Sequence, residues 1–389
     1  MRIAVFTDAF LPQINGVVTH IIKTIEKFID HNHKVLVFAP KPNKQIELNK
    51  LVKAQIEFIP GLPAIFYPDF YMTNPLSYRI LKTVEKFNPD IIHFHTPLTI
   101  GFNAIIAAKY FKKPLVSTFH AYFMEPEYLK TAGLDKLGLD ENKFINNIGW
   151  QFARFFYDQS DVIICPSKCA KKDLINHHFT KTLEIISNGL DLPNTKGSFL
   201  KAFEKIKLPK KYFLYVGRIS REKSLDLLIK SFKKFTLINK EIDLVIVGDG
   251  PAKNDLEKFV ASHSLKNRVY FLGAISHDSL MKSNIFPNAL AFVSASTSET
   301  QGLSVLEACG FKLPVIAVKA RALTELVKAN GILCQPDSVN EFAKALETIT
   351  KNFSLRKKFA QKSFQIASHH SLDKTISQLE NIYISLINK

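Results

Sequence analysis

Two glutamates stand in the run Ser298-Glu299-Thr300-Gln301-Gly302-Leu303-Ser304-Val305-Leu306-Glu307-Ala308, with seven residues and a glycine turn between them. The apolar run Ala289–Val293 leads into this segment, and a short apolar helix is expected to leave it. Such a helix N-terminus can hold an anion, and each carboxylate can accept hydrogen bonds from hydroxyls. At 1.5 Å per residue, Glu299 and Glu307 are separated by about 12 Å. Carboxylates that act on one bond sit about 5–9.5 Å apart, so this pair suits different parts of one extended ligand. A helix-capping glutamate followed by a surface glutamate is the plainer alternative. Phosphate recognition beside polyol recognition is what a nucleotide sugar requires.

Other strand ends carry reactive types. Tyr215-Val216-Gly217-Arg218-Ile219-Ser220-Arg221-Glu222-Lys223 places Arg218 and Lys223 where both can reach a diphosphate, the first as a fork and the second as a point charge. A solvated charge run is the competing reading. Thr7-Asp8 leads through Asn15-Gly16 into a helix, where glycine permits close approach of a ligand; Asn-Gly is also an ordinary turn. His93 and His95 alternate along one strand and should share a face. A metal there would need a third ligand, and His93 reads as an ordinary hydrogen-bonded histidine. His120 ends a central strand and is the histidine best placed to reach a reacting centre. Gly248-Asp249-Gly250-Pro251 reads as a tight turn.

These residues need elements to hold them. Short apolar runs alternate with amphipathic helical stretches, the pattern of parallel α/β units. The first half reads as strands at Arg2–Phe6, Lys34–Ala39, Asp90–His95, Leu115–His120, Asp161–Cys165 and Leu183–Ser187. The second reads as strands at Tyr212–Gly217, Asp243–Gly248, Arg268–Gly273, Ala289–Ser294 and Pro314–Val318. Val18, Ile21, Ile22, Ile25, Phe28 and Ile29 make one helical face. In Ser371–Lys389, Leu372, Ile376, Leu379, Ile382, Ile384 and Leu386 do the same. The turn-rich stretch Asp191–Ser198 reads as a linker. At 389 residues the chain exceeds one compact core. We expect an N-terminal domain over 1–195, a C-terminal domain over 196–370 and a crossover helix over 371–389.

Composition excludes some classes. Cys165, Cys169, Cys309 and Cys334 form no metal-binding spacing and suit a reducing cytosol. No run approaches the ~18 apolar residues of a membrane span, and a strand pattern follows Met1 directly, without a leader. The net charge is +17: residues 1–195 carry 22 Lys+Arg against 18 Asp+Glu, and the rest carry 30 against 17. That excess suits a phosphorylated or anionic partner, or a lysine-rich composition without one. No GxGxxG, P-loop or RNA-binding signature is present, so a basic nucleic-acid-binding protein is the remote alternative.

In order and type, the Asn15-Gly16 loop, His120, Gly217-Arg218 with Glu222-Lys223, Gly248–Pro251 and Glu299 to Glu307 resemble the retaining glycosyltransferases of family 4, along nearly the whole chain. The resemblance implies a GT-B fold: two Rossmann-like doubly wound domains facing a cleft, with the C-terminal helix packing back toward the N-terminal domain. It implies that Arg218 and Lys223 bind the donor diphosphate, Glu307 the ribose and Glu299 the transferred sugar. The amides of Gly302, Leu303 and Ser304 would lie near phosphate and sugar, Gly16 would close on the diphosphate, and His120 would contact the sugar at its reacting carbon. His120 and Glu299 are thus the catalytic candidates, and Asp8, Asn15 and His95 the acceptor-side ones. It implies chemistry without a metal or cofactor, and no DxD-type triad is seen.

Within the family, the segments around Asp8 and Asn15, His93-Phe94-His95-Thr96-Pro97 and Glu299-Thr300-Gln301-Gly302 look most like enzymes that glycosylate lipids. That implies hexose transfer from UDP-glucose to diacylglycerol by a cytoplasmic enzyme, peripheral on the inner membrane face. GDP-mannose or UDP-galactose as donor, and a soluble or polysaccharide acceptor, are the alternatives. Lys109, Lys112 and Lys113, with Ile105, Ile106, Tyr110 and Phe111, and the aromatic loop Leu62–Tyr71 suit interfacial docking. The oligomeric state is left open.

Overall fold

The structure, a computed structural model, describes residues 1–13, 15–42, 46, 48, 51, 53–63, 71–122, 143–193 and 208–389. The expected docking-loop positions 64–70 and linker positions 194–198 lie outside these residues. The chain divides into two compact units, Met1–Gly189 with Leu372–Lys389, and Leu190–Ser371.

The first unit runs β1 (Arg2–Phe6), α1 (Gly16–Asp30), β2 (Lys34–Pro40), β3 (Gln55–Ile59), β4 (Gly61–Pro63), β5 (Tyr71–Thr73), α2 (Tyr78–Phe87), β6 (Ile91–Phe94), α3 (Thr99–Phe111), β7 (Leu115–Thr118), α4 (Lys143–Tyr157), β8 (Val162–Cys165), α5 (Lys168–Asn176) and β9 (Thr182–Ile185). Seven strands form one parallel sheet in the order β3-β2-β1-β6-β7-β8-β9, and β4-β5 is a separate antiparallel pair. Ile3, Val5, Val35 and Val37 point to one core, and Ala4, Phe6, Leu36 and Phe38 to another. A sheet buried on both faces needs such unbroken apolar strands. Asn15 starts α1 by accepting the Val18 amide at 3.0 Å.

The second unit runs β10 (Tyr212–Val216), a 3₁₀ turn (Arg221–Lys223), α6 (Leu225–Thr236), β11 (Asp243–Val247), α7 (Lys253–Ser262), β12 (Val269–Phe271), α8 (His277–Met281), β13 (Ala291–Ser294), α9 (Leu303–Gly310), β14 (Val315–Val318), α10 (Leu323–Leu326), β15 (Gly331–Cys334), α11 (Val339–Lys351) and α12 (Phe353–His369). Its parallel sheet is ordered β12-β11-β10-β13-β14-β15. The chain then returns to the first unit as α13 (Leu372–Ile387). Leu372, Ile376, Leu379, Tyr383 and Leu386 of α13 join the core formed by α1 and one face of β1 and β2. Ile384, expected on the buried side, is 47% exposed, and Tyr383 is buried instead.

In each sheet the order of strand addition reverses once. β1 lies between β2 and β6, and β10 between β11 and β13. The carboxyl ends of these strands border the crevice where open α/β sheets bind ligands. The strands are shorter than their apolar runs: β6 ends at Phe94 and β7 at Thr118. His95 and His120 therefore lie just beyond the hydrogen-bonded ladder.

Candidate active site

In the second unit the crevice is built by two loops locked together. After β10, the backbone bends through Gly217 and Arg218 and rests on the Gly248–Pro251 turn. Ile219 donates its amide to the Asp249 carbonyl at 2.9 Å, and Ala252 donates to the Ile219 carbonyl at 3.0 Å. A Cβ on Gly248 would lie 1.9 Å from the Gly217 oxygen, so only glycine allows this approach. The turn thus supports the Arg218 loop. Tyr215 fixes it further, its hydroxyl donating to the Arg218 carbonyl at 2.9 Å.

The 3₁₀ turn then presents Lys223. Glu222, 1% exposed, accepts from the Ser220 hydroxyl. The Glu222 carbonyl accepts from Ser296 at 3.4 Å and Ser298 at 3.3 Å, in the loop after β13. That clamp brings Lys223 Nζ within 2.6 Å of Glu299 Oε1. Burial alone would push the Glu299 carboxyl up; the Lys223 ammonium, its hydrogen bond and one from Ser296 hold it below its ordinary value.

Gly302, with φ +86°, turns the chain into α9. The Val305 and Leu306 amides both reach the Gly302 carbonyl. The Leu303 and Ser304 amides belong to the first turn, which has no intrahelical acceptors for its N–H groups. Glu307, 5% exposed, accepts from His277 Nε2 at 2.8 Å. Glu299 and Glu307 therefore have different partners. His277 escaped the sequence reading because it opens a five-residue helix with no periodic signal; Glu222 was noticed beside Lys223, but its role as a clamp was not, because it looked like part of a charge run.

In the first unit, Asp8 is fully buried and its carboxylate is occupied. It accepts from Thr96 at 2.9 Å, Thr99 at 3.2 Å, the Ile100 amide at 2.8 Å and the Gly101 amide at 3.2 Å. It ties the end of β1 to the N-terminus of α3, whose own capping position, Leu98, offers no side-chain bond. Burial pushes its carboxyl up to about 6, against those hydrogen bonds. Asn15 is the α1 cap, and Gly16 is the exposed first residue of that helix.

Four histidines stack beside this crevice. His93 and His95 share a face as expected, with ring centroids 4.2 Å apart. His93 is bonded on both nitrogens, to Tyr383 at 2.6 Å and Thr118 at 2.8 Å. His95 Nδ1 meets His120 Nε2 at 3.0 Å. His20, from α1, joins them, with its ring 5.3 Å from His120 and its Nδ1 2.7 Å from the Asn188 carbonyl. Burial lowers the His20 value to about 4 and that of His93 to about 3, and holds His95 and His120 well below the ordinary imidazole range. Among the described residues, the group with the spacing to hold a metal is His20, His95 and His120, not a pair built on His93.

Both halves of the chain match known families. Residues 14–193 match the Glycosyltransferase Family 4 description, and residues 198–365 match Glycosyl transferases group 1. Together these two glycosyltransferase matches span most of the chain, and its fold is the GT-B fold. It is 28% identical to an alpha-monoglucosyldiacylglycerol synthase of Streptococcus pneumoniae over 82% of this chain and 71% of that one. It is 26% identical to the Acholeplasma laidlawii enzyme of the same name, over 100% of this chain and 98% of that one. The crystal structure of Anabaena Alr3699/HepE in complex with UDP superposes with a TM-score of 0.76 at 20% identity, over 99% of this chain and 100% of that one. The chain is a glycosyltransferase. Among its described residues, no helix is long and apolar enough to cross a membrane.

The basic α3 end expected to dock is only partly a surface. Ile105 is 3% exposed and belongs to the core, whereas Tyr110 is 71% exposed. On α4, Phe144, Ile148 and Phe155 are exposed along one side, and neither helix contains an acidic residue.

Proposed function

We propose that this glycosyltransferase moves glucose from UDP-glucose to diacylglycerol with retention of configuration, at an anionic membrane surface. The observation that carries the donor half is the Lys223–Glu299 contact at 2.6 Å across the second unit's crevice. A cation and a carboxylate held together there are released to different partners when a diphosphate sugar binds. Lys223 and Arg218 take the diphosphate, and Glu299 accepts sugar hydroxyls. Glu307 accepts from the ribose, and the amides of Gly302, Leu303 and Ser304 face phosphate and sugar. From the first unit, Gly16 is assigned to the diphosphate and His120 to the sugar, and Asp8, Asn15 and His95 to the acceptor.

The acceptor hydroxyl attacks on the face the diphosphate leaves. The C1–phosphate oxygen bond breaks, the C1–acceptor oxygen bond forms, and the acceptor proton passes to the departing phosphate oxygen. The transition state is oxocarbenium-like with charge growing on the diphosphate, and fixed cations stabilise that charge. No residue in this scheme needs a metal. The diacylglycerol half is supported by the names of the two synthases and by the exposed aromatic, acid-free faces of α3 and α4, which suit an anionic interface.

The test is a panel of UDP-glucose, UDP-galactose and GDP-mannose against lipid extract, with products identified by mass and chelator present throughout. Glucosyl-diacylglycerol should form from UDP-glucose. Lys223→Ala and Glu307→Ala should each lose at least tenfold in rate, about 1.4 kcal/mol. Unchanged turnover in both variants removes the site assignment; a soluble product or another sugar removes the acceptor or donor assignment.

A further inference from the structure

We propose that His20, His95 and His120 form a binding site for one borderline divalent ion, Zn²⁺ foremost, and that the ion switches the enzyme off. Binding rests on the first unit alone; inhibition rests on the role given above to His95 and His120.

The three imidazoles come from separate elements: α1 and the chain just past β6 and β7. Their candidate ligand nitrogens all lie within 4.8 Å of one another, and all three residues are buried. Two nitrogens about 2.0–2.1 Å from a tetrahedral zinc are about 3.3 Å apart. Ring rotations that draw the nitrogens in by about 1.5 Å at most therefore complete the site. His20 is already set as a ligand. Its Nδ1 donates to the Asn188 carbonyl at 2.7 Å, leaving Nε2 as the lone-pair atom. Backing of a ligand imidazole by a carbonyl is the usual outer-shell arrangement of zinc histidines.

The bond of 3.0 Å between His95 Nδ1 and His120 Nε2 must open. The donating ring takes its other tautomer, so no net proton is released when neutral imidazoles bind the ion. Burial keeps all three rings neutral, the form that ligates. Three nitrogens and no carboxylate exclude Mg²⁺ and Ca²⁺ and favour Zn²⁺ or Cu²⁺. Three protein ligands leave the fourth position to water or a hydroxyl. An ion so held occupies His120, the residue proposed above to contact the sugar.

The experiment uses the whole chain stripped by chelator, then titrated with Co²⁺ and Zn²⁺. One ion per chain should bind, Co²⁺ should show the intense visible bands of a tetrahedral site, and Zn²⁺ should raise Tm. His20→Asn and His95→Asn should each weaken binding by at least about tenfold. A control lies at the surface, where His31 and His33 both contact Glu380 at 2.8 Å. Replacing both with Asn should leave binding unchanged. Binding that follows His31 and His33, weak octahedral Co²⁺ bands, or no binding overturns the site. Zn²⁺ should also slow transfer reversibly, and His20→Asn, measured against its own basal rate, should need at least about tenfold more. A wild-type chain that binds the ion through these histidines yet keeps its rate supports the site but overturns the inhibition, and with it the substrate role of His120.

Discussion

Lys223 and Glu299 are set by residues that never reach a ligand. The buried Glu222 ties the lysine turn to the loop after β13 through Ser296 and Ser298. His277 does for Glu307 what Glu222 does for Lys223: its Nε2 donates to a buried carboxylate proposed to meet the ribose. Removing it should leave Glu307 with more rotamers and a weaker hold on the donor. His277→Ala should raise the donor KM about tenfold, or about 1.4 kcal/mol, with kcat within about twofold. His277→Gln, which keeps an N–H donor, should recover most of the loss. A fall in kcat at constant KM would place His277 in the chemistry instead.

At the scale of elements, caps decide where the crevice residues sit. Asn15 fixes the first turn of α1 through the Val18 amide, and α1 carries His20. Asn15→Ala should destabilise the first unit by about 1 kcal/mol, and Asn15→Asp should not. The sole tryptophan, Trp150, lies 3% exposed in that unit, so its fluorescence in urea reads the difference. The long apolar strands and the α1 face were legible from periodicity, because burial on two sides leaves an unbroken hydrophobic signature. The edge strands β3 and β15 were not, since an edge strand half exposed, as Gln55–Ile59 is, or opened by Gly331, carries too little pattern. The charged site residues were legible from their places at strand ends. The histidine array was half legible: His95 and His120 follow strands, but His20 lies inside a helix face. Nothing local in the sequence shows that α1 packs across the ends of β6 and β7, nor that Asp8 caps a helix starting more than ninety positions later.

For the whole molecule, the buried histidines make the first unit sensitive to acid. Free imidazole titrates near 6.5, whereas His20 and His93 in the fold do so at about 4 and about 3. Below pH 6.5 the unfolded chain therefore gains protons first, and stability falls as pH drops toward 4. His20 alone accounts for on the order of 3 kcal/mol across that range. Asp8 works the other way: its carboxyl, raised to about 6, takes a proton in the fold before it does when unfolded. One carboxyl against four depressed histidines leaves a net loss. The urea midpoint read by Trp150 in the metal-free chain should be lower at pH 5 than at pH 7.5; an equal midpoint would contradict the neutral array. The fold adds a further condition. α13 supplies Tyr383 to His93, Thr375 to the Ser187 carbonyl and Asp373 to Lys27, all in the first unit. On the ribosome, that unit must wait with one sheet face only partly covered while residues 190–371 are made, about ten to forty seconds at usual rates. The half begun first is completed last, so a nascent chain keeps part of its first core open while its second half is already folding.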